Sequence, residues 1–161
     1  MIVEKDLLIE KFDYLERLLD EYSALTGGLS AADLEVVEET DAILAAREKI
    51  IAQTKLLTPE ITEIIEKQAP ETAAMLGKML NGDAIMANMS EDEKELRAKI
   101  INLRSLLGDI ARLDEGNRIR FKRKYDEVRE ELENLQREKK KLNFYHSATT
   151  SDKGSEFSNQ G

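Results

Sequence analysis

The sequence predicts an all-α fold: an elongated antiparallel bundle in which a helical hairpin packs on one very long, coiled-coil-like C-terminal helix, followed by a disordered tail. Apolar residues recur every seven positions through most of residues 96–142, and two shorter sets with the same spacing occupy residues 8–57. After Tyr145 the composition changes to Ser, Thr, Gly and Asn, which cannot bury enough surface to offset the entropy of ordering. We therefore expect a helical bundle over 1–145 and a disordered tail over 146–161.

The first helix is predicted from about Val3 to Leu25. Its apolar residues form one face of the helix. One row contains Leu8, Leu15 and Tyr22, a second contains Leu18 and Leu25, and Phe12 and Leu19 join the two rows. We expect Gly27 and Gly28 to end this helix, because glycine adopts the left-handed conformation of a C-cap without penalty.

The second helix is predicted to begin at Ser30, a favoured N-cap, with Asp33 in a capping-box-like position three residues later. Its apolar face is wide and extends to about Leu57, through Val36, Val37, Ile43, Leu44, Ile50 and Ile51. The first two helices thus form an αα-hairpin with a short loop.

The middle region is interrupted by two prolines. Thr58 and Pro59 are expected to restart the chain as a new helix, since proline suits the first helical turn. Pro70 disfavours helical geometry at Ala69, so residues 59–68 and 71–80 are two short helices or one kinked helix. Residues 80–89 are expected to form a loop. The methionines of this region either fill the core or form an adaptable apolar surface: Met75, Met79, Met86 and Met89.

The long helix is predicted from Glu91 to Tyr145, after a capping box made by Ser90 and Glu93. We expect it to be continuous through Gly116, because the heptad phase is the same on both sides and a turn has no reason to preserve it. Its stripe contains one polar residue, Asp114, and these apolar residues: Leu96, Ile100, Leu103, Leu107, Ile110, Phe121, Tyr125, Val128, Leu132, Leu135 and Leu142.

Such a helix is roughly 80 Å long at 1.5 Å per residue, more than the earlier helices can cover. We therefore expect its first half, Leu96 to Leu113, to pack on the hairpin. The second half, Ile119 to Leu142, is then available for a partner, with a polar border from Asp114 to Asn117.

Composition excludes several classes of protein. The chain has a net charge of −9 and no cysteine, and its single histidine is His146. The sequence contains no metal-ligand spacing, phosphate-binding loop or nucleophile elbow, so we expect no catalysis, no cofactor and no metal. It lacks a signal peptide and an apolar run of membrane-spanning length, which predicts a cytoplasmic protein without membrane insertion.

A basic run from Arg118 to Lys124 surrounds Ile119 and Phe121. Nucleic-acid binding and a solvated helix flank are the two interpretations, and the second is favoured because the charges spread around the helix. The overall acidic charge also argues against nucleic acid, whose binding depends on Lys and Arg.

Two segments resemble flagellar type III export chaperones of the FlgN/FliT group. One is SAADLEVVEETDAILAAREKIIAQTKLL in the second helix, and the other is LDEGNRIRFKRKYDEVREELENLQREKKKLNFYHS. The second is the more specific: Asp114, Asn117, the lysines from Lys139 to Lys141, and Tyr145 before a flexible tail match the family pattern. The resemblance covers about Leu7 to Tyr145, and residues 59–89 match nothing in it.

This resemblance implies a cytoplasmic chaperone without ATPase activity. Such a protein binds the C-terminal helical segment of hook-associated or filament-cap proteins, prevents their premature assembly and delivers them to the export gate. Tyr145 is then expected to contact a gate component. A client helix is expected to complete the bundle along Phe121, Tyr125, Val128, Leu132 and Leu135. The alternative is a structural coiled-coil protein in which the same stripe pairs with its own copy in a homodimer.

Overall fold

Four α-helices account for the regular structure in residues 1–85 and 88–158, the part of the chain that this computed structural model describes. They are α1 (Lys5–Ala31), α2 (Val37–Glu66), α3 (Pro70–Asn81) and α4 (Glu91–Ser158). Side chains are described for 1–85 and 88–149. The chain divides into two compact units, Met1–Asn117 and Arg118–Gly161.

In the first unit, polar contacts fix the directions of three helices. Along α1 and α4, Lys5 pairs with Asp92 at 2.7 Å and Asp13 with Lys99 at 2.5 Å, so these helices run parallel. Lys11 pairs with Glu60 at 2.6 Å, and Gln68 bonds the main chain of Val3, so α2 runs antiparallel to α1. The predicted all-α class, the αα-hairpin and the long last helix are confirmed.

The core of this unit lies between α1, α2, α3 and the first part of α4. Its largest fully buried side chains come from α1, α3 and α4: Leu8, Phe12, Leu29, Leu76, Leu96 and Ile100. Burying each such side chain contributes about 1.5–3 kcal/mol. The core therefore holds the proximal part of α4 against the hairpin.

The predicted end of the first helix at Gly27 and Gly28 is wrong, because α1 continues to Ala31. Thr26 and Leu29 are buried on either side of the glycines, with 0% and 1% of their surface exposed. A glycine inside a helix costs only about 1 kcal/mol relative to alanine. Burial of Leu29 offsets that cost, so the helix continues through Gly27 and Gly28.

The predicted N-cap at Ser30 is also wrong, since Ser30 lies in the last turn of α1 and α2 begins at Val37. The chain reverses instead in a turn at Asp33, whose carboxylate accepts a hydrogen bond from the main-chain N–H of Glu35 at 3.0 Å. Aspartate favours this turn because its side chain bonds its own backbone two residues on. The Ser30 hydroxyl instead donates a hydrogen bond to Asn117 of α4.

Pro59 does not restart the chain, contrary to the sequence prediction, but lies inside α2. A proline in a helix interior removes one hydrogen bond and costs about 3 kcal/mol. The buried residues Leu57, Ile61 and Ile64 flank it and hold both sides of the helix on the core. The break falls later, at residues 67–69, where Pro70 starts α3 as its first residue.

The short helix α3 ends at Gly82, which adopts the left-handed conformation with φ 81°. The predicted loop follows at Gly82 rather than at Leu80. Met79 is buried, and Met75 and Met89 pack against the core, so core filling is confirmed for these three residues. Met86 lies outside the described residues.

The capping box of α4 is confirmed. The main-chain N–H of Glu93 donates to the Ser90 hydroxyl at 3.2 Å, and that of Ser90 donates to the Glu93 carboxylate at 2.8 Å. The helix is continuous through Gly116, as predicted.

The helix also passes Tyr145, its predicted end, and extends to Ser158. The disordered tail stays a prediction, and its last residues, 159–161, lie outside the described part.

Candidate partner-binding surface

The proximal half of the α4 stripe is buried, as predicted. Leu96, Ile100, Leu103 and Ile110 have between 0% and 7% of their surface exposed. Leu107 is an exception, with 51% exposed, although the heptad spacing places it in the same stripe. The short α3 explains this exposure, because its last turn lies beside Arg104, whose guanidinium donates to the Leu80 carbonyl at 2.7 Å.

The predicted polar border is a cluster of inter-helix hydrogen bonds. Asn117 has 4% of its surface exposed, and its amide nitrogen donates to the main-chain carbonyl of Thr26 at 3.2 Å. Its amide oxygen lies 2.8 Å from the hydroxyl of Ser30, which donates to it. Because a buried amide left without partners costs about 1–3 kcal/mol, these bonds fix where α4 lies on α1.

Asp114 belongs to the same border and contacts α2. Its carboxylate lies 2.7 Å from a guanidinium nitrogen of Arg47, and the same nitrogen donates to the Tyr22 hydroxyl at 2.5 Å. The guanidinium also lies over the Tyr22 ring, 4.6 Å from its centroid, a geometry that favours cation–π attraction. Asp114 and Asn117 thus connect α4 to both helices of the hairpin.

The distal half of the stripe, in the second unit, is exposed. Tyr125, Val128, Leu132 and Leu135 have between 41% and 66% of their surface exposed, and Phe121 is half-buried. Isolated apolar residues at a protein surface need no explanation, but a row at heptad spacing is typical of a helix-binding seam. Five of the six predicted site residues therefore share one stripe on one helix; we call these five the distal stripe.

Tyr145 is the sixth predicted residue and has 65% of its surface exposed. Its ring packs edge-to-face against Phe144, with 6.2 Å between the centroids. Three residues after Leu142, it lies about 60° around the helix from that residue, given 100° per residue. The structure places Tyr145 about 15 Å beyond Leu135, the last residue of the distal stripe, and inside a helix rather than at its end.

A second exposed apolar row lies on α2, and the sequence analysis missed its exposure. Val37, Leu44 and Ile51 have between 39% and 62% of their surface exposed, whereas Ile50 and Leu57 are buried. The predicted face of α2 was too wide, since these two rows are 100° apart and the core covers one of them. The sequence does contain a signal for this exposure. An apolar face made of two complete heptad rows is wider than one neighbouring helix covers.

One surface depression, about 700 Å³, lies beside α1 and contains mainly charged side chains. Its Lys5 is held in ion pairs with Asp92 and Glu95, both at 2.7 Å. Such pairs link α1 to the start of α4.

Among the described residues, no group of three His, Asp or Glu side chains could hold a metal ion. No helix in residues 1–85 and 88–158 is long and apolar enough to cross a membrane.

Comparisons of the chain with protein-family models, with curated proteins and with solved structures find no match.

Proposed function

We propose that this protein is a cytoplasmic, non-enzymatic flagellar export chaperone that holds the C-terminal helical segment of a hook-associated or filament-cap protein. One observation carries the proposal: in the part of α4 whose side chains are described, the stripe is buried from Leu96 to Ile110 except at Leu107, and it is exposed from Tyr125 to Leu135. A seam at heptad spacing that lacks a covering helix fits an amphipathic helix from a partner. The resemblance to the FlgN/FliT group supports the choice of client.

The mechanism follows from helix packing. The client's apolar helix face, which would otherwise drive assembly, packs on Tyr125, Val128, Leu132 and Leu135. Full burial of an apolar side chain contributes about 1.5–3 kcal/mol, so burial of these side chains together with those of the client helix offsets the cost of association. No covalent step is involved, and release needs only a competing surface at the export gate.

The test is co-elution of the full chain with a purified hook-associated protein. Val128→Glu combined with Leu132→Glu should abolish co-elution, because two carboxylates would be buried without partners. Ile119→Glu is the matched control: Ile119 is 47% exposed on the same helix but lies on the side opposite Val128. Circular dichroism should show unchanged helical content in both variants. Unchanged co-elution of the double variant would reject the site.

Tyr145 is proposed to contact the export gate. Tyr145→Ala should therefore leave client co-elution unchanged and reduce capture of a gate component, since a tyrosine anchor supplies both an apolar ring and a hydroxyl. Equal capture of the gate component by the wild-type chain and by the Tyr145→Ala variant would remove Tyr145 from the site.

The second candidate function is a structural coiled-coil protein acting through homodimerisation. The heptad spacing of the distal stripe favours it, because two copies could pair along the same seam. A stable dimer at low micromolar concentration that binds no hook-associated or filament-cap protein would select this function. A monomer or weak dimer that converts to a one-to-one complex would select the chaperone.

A further inference from the structure

The two exposed apolar rows of the chain differ in the charge around them. Residues 1–117, which include the α2 row, carry 13 Lys or Arg against 25 Asp or Glu. Residues 118–145, which include the distal stripe, carry 10 Lys or Arg against 6 Asp or Glu. The first unit is therefore strongly acidic and the distal part of α4 is basic, so each is the electrostatic complement of the other.

The exposed side chains of the α2 row lie next to the contact between α2 and α4 in the first unit. Leu44 and Ile51 are each within one helical turn of Arg47, which reaches Asp114 on α4, so they lie on the side of α2 that faces α4. Leu107, two turns before Asp114, lies on the corresponding side of α4 and is 51% exposed. We call the surface formed by Val37, Leu44, Ile51 and Leu107 the open groove.

A helix fits this kind of groove, because α3 already packs against α2 and α4. It does so near the C-terminal end of α2 and the N-terminal end of α4. α3 ends at the level of Arg104. Beyond that point, Leu107 and the α2 row have between 39% and 62% of their surface exposed. Asp41 and Glu48, one turn before and after Leu44, are exposed on the outer side of the row, and Lys55 follows Ile51 by one turn. The occupant is therefore expected to be a basic amphipathic helix with heptad-spaced apolar residues.

The chain itself contains such a helix. We propose that the distal stripe of a second copy docks in the open groove and that the contact is reciprocal, so that two copies form a symmetric dimer through two α2–α4 contacts. A two-fold axis requires this reciprocity: if one copy's α4 contacts its partner's α2, the partner's α4 contacts the first copy's α2. Pairing α4 with its own copy would instead place two basic segments side by side.

This arrangement would cover both exposed rows in the absence of a client. It would also make client binding and dimerisation compete for the distal stripe. The proposal stands independently of the client's identity, because it concerns only contacts between two copies of this chain.

The first test is sedimentation velocity of the full chain over a concentration series. Leu44→Glu and Ile51→Glu should each weaken dimerisation at least tenfold, since each places a carboxylate in the contact. Leu56→Glu is the matched control, because Leu56 is 74% exposed on another side of α2. Raising the salt from 0.05 to 0.5 M should also weaken the wild-type dimer, as screening shortens the range of charge attraction. A wild-type chain that stays monomeric at about 50 µM would overturn the proposal, because an interface of standard size is expected to hold two copies together at that concentration.

The second test maps which rows meet, and it uses the absence of native cysteine. A Leu44→Cys chain is mixed with a Val128→Cys chain and treated with a short bis-maleimide crosslinker. The proposal expects crosslinks between the two different chains in preference to crosslinks within either population. Predominant self-crosslinking of the Val128→Cys chain would show that α4 pairs with α4, and would overturn the proposal.

The same variants separate this proposal from the chaperone function. Leu44→Glu should yield a monomer that still co-elutes with the hook-associated protein, because Leu44 is outside the distal stripe. Absence of client co-elution with the wild-type chain, with the mixed crosslink intact, would reject the chaperone function alone.

Discussion

Asn117 of α4 donates a hydrogen bond to the main-chain carbonyl of Thr26 in α1, across 3.2 Å, and both residues are buried. The Asn117→Ala variant should lower the free energy of unfolding by about 1–2 kcal/mol, because the Thr26 carbonyl and the Ser30 hydroxyl each lose a partner. Urea denaturation followed by circular dichroism measures this change. Asn143→Ala, at an exposed position of the same helix, should change it by less than about 0.5 kcal/mol.

Two leucines of α4 should differ sharply in their contribution to stability. Leu96 is fully buried, whereas Leu135 has 60% of its surface exposed. Leu96→Ala should destabilise the protein by about 2–5 kcal/mol through lost burial and a residual cavity. Leu135→Ala should change stability by less than about 0.5 kcal/mol. A similar loss in both variants, measured by thermal or urea denaturation, would show that the distal stripe also belongs to the folding core.

Two glycines should respond in opposite directions to substitution by alanine. Gly27 lies inside α1, with open space where a Cβ would be, so Gly27→Ala should stabilise the protein by about 0.5–1 kcal/mol. Gly82 has φ 81°, and a Cβ there would meet the Arg104 guanidinium, so Gly82→Ala should destabilise it by about 1–2 kcal/mol. Melting temperatures of the two variants give the signs directly. A Gly27→Ala chain less stable than wild type would indicate that α1 ends before Gly27.

Stability should fall at alkaline pH as the lysine ion pairs lose their charge. Hydrogen bonds from Lys5 to Asp92 and then to Glu95 raise its pKa above the usual range. A raised folded-state pKa contributes stability that is present below the ordinary value of about 10.4 and is lost as pH rises above it. The difference in unfolding free energy between wild type and Lys5→Gln should therefore shrink above about pH 10.4.

Denaturant titrations from pH 7 to 12 test this dependence. Lys139→Gln, at an exposed position of distal α4, controls for removal of one positive charge. A Lys5→Gln difference that stays constant up to pH 12 would contradict the assignment of stability to these ion pairs.

Local periodicity predicted the helices well and their ends poorly. The sequence correctly predicts that α4 is continuous and that it begins with a capping box at Ser90, because both features depend on residues close in sequence. The sequence predicts a helix end at Gly27 and Gly28 and a helix start at Pro59, yet buried neighbours such as Leu29 and Leu57 hold the helix through them. Tertiary packing outweighs a local penalty of about 1–3 kcal/mol, and a single sequence does not reveal that packing.

The candidate site shows the same contrast. The exposure of the distal stripe followed from comparing the length of α4 with that of the hairpin. The exposure of Leu44 and Ile51 did not, because it depends on where α3 stops. Local sequence patterns also do not predict the hydrogen-bond partners of Asp114 and Asn117, because Arg47 and Thr26 are 67 and 91 residues away in sequence.

The border at Asn117 also separates two levels of tolerance to substitution on one continuous helix. Before it, each heptad must satisfy the packing of the hairpin, so substitutions there are limited by folding. Beyond it, the apolar positions can change size and shape at little cost to the fold. A helix divided in this way can change the shape of its distal surface while the folded unit stays the same.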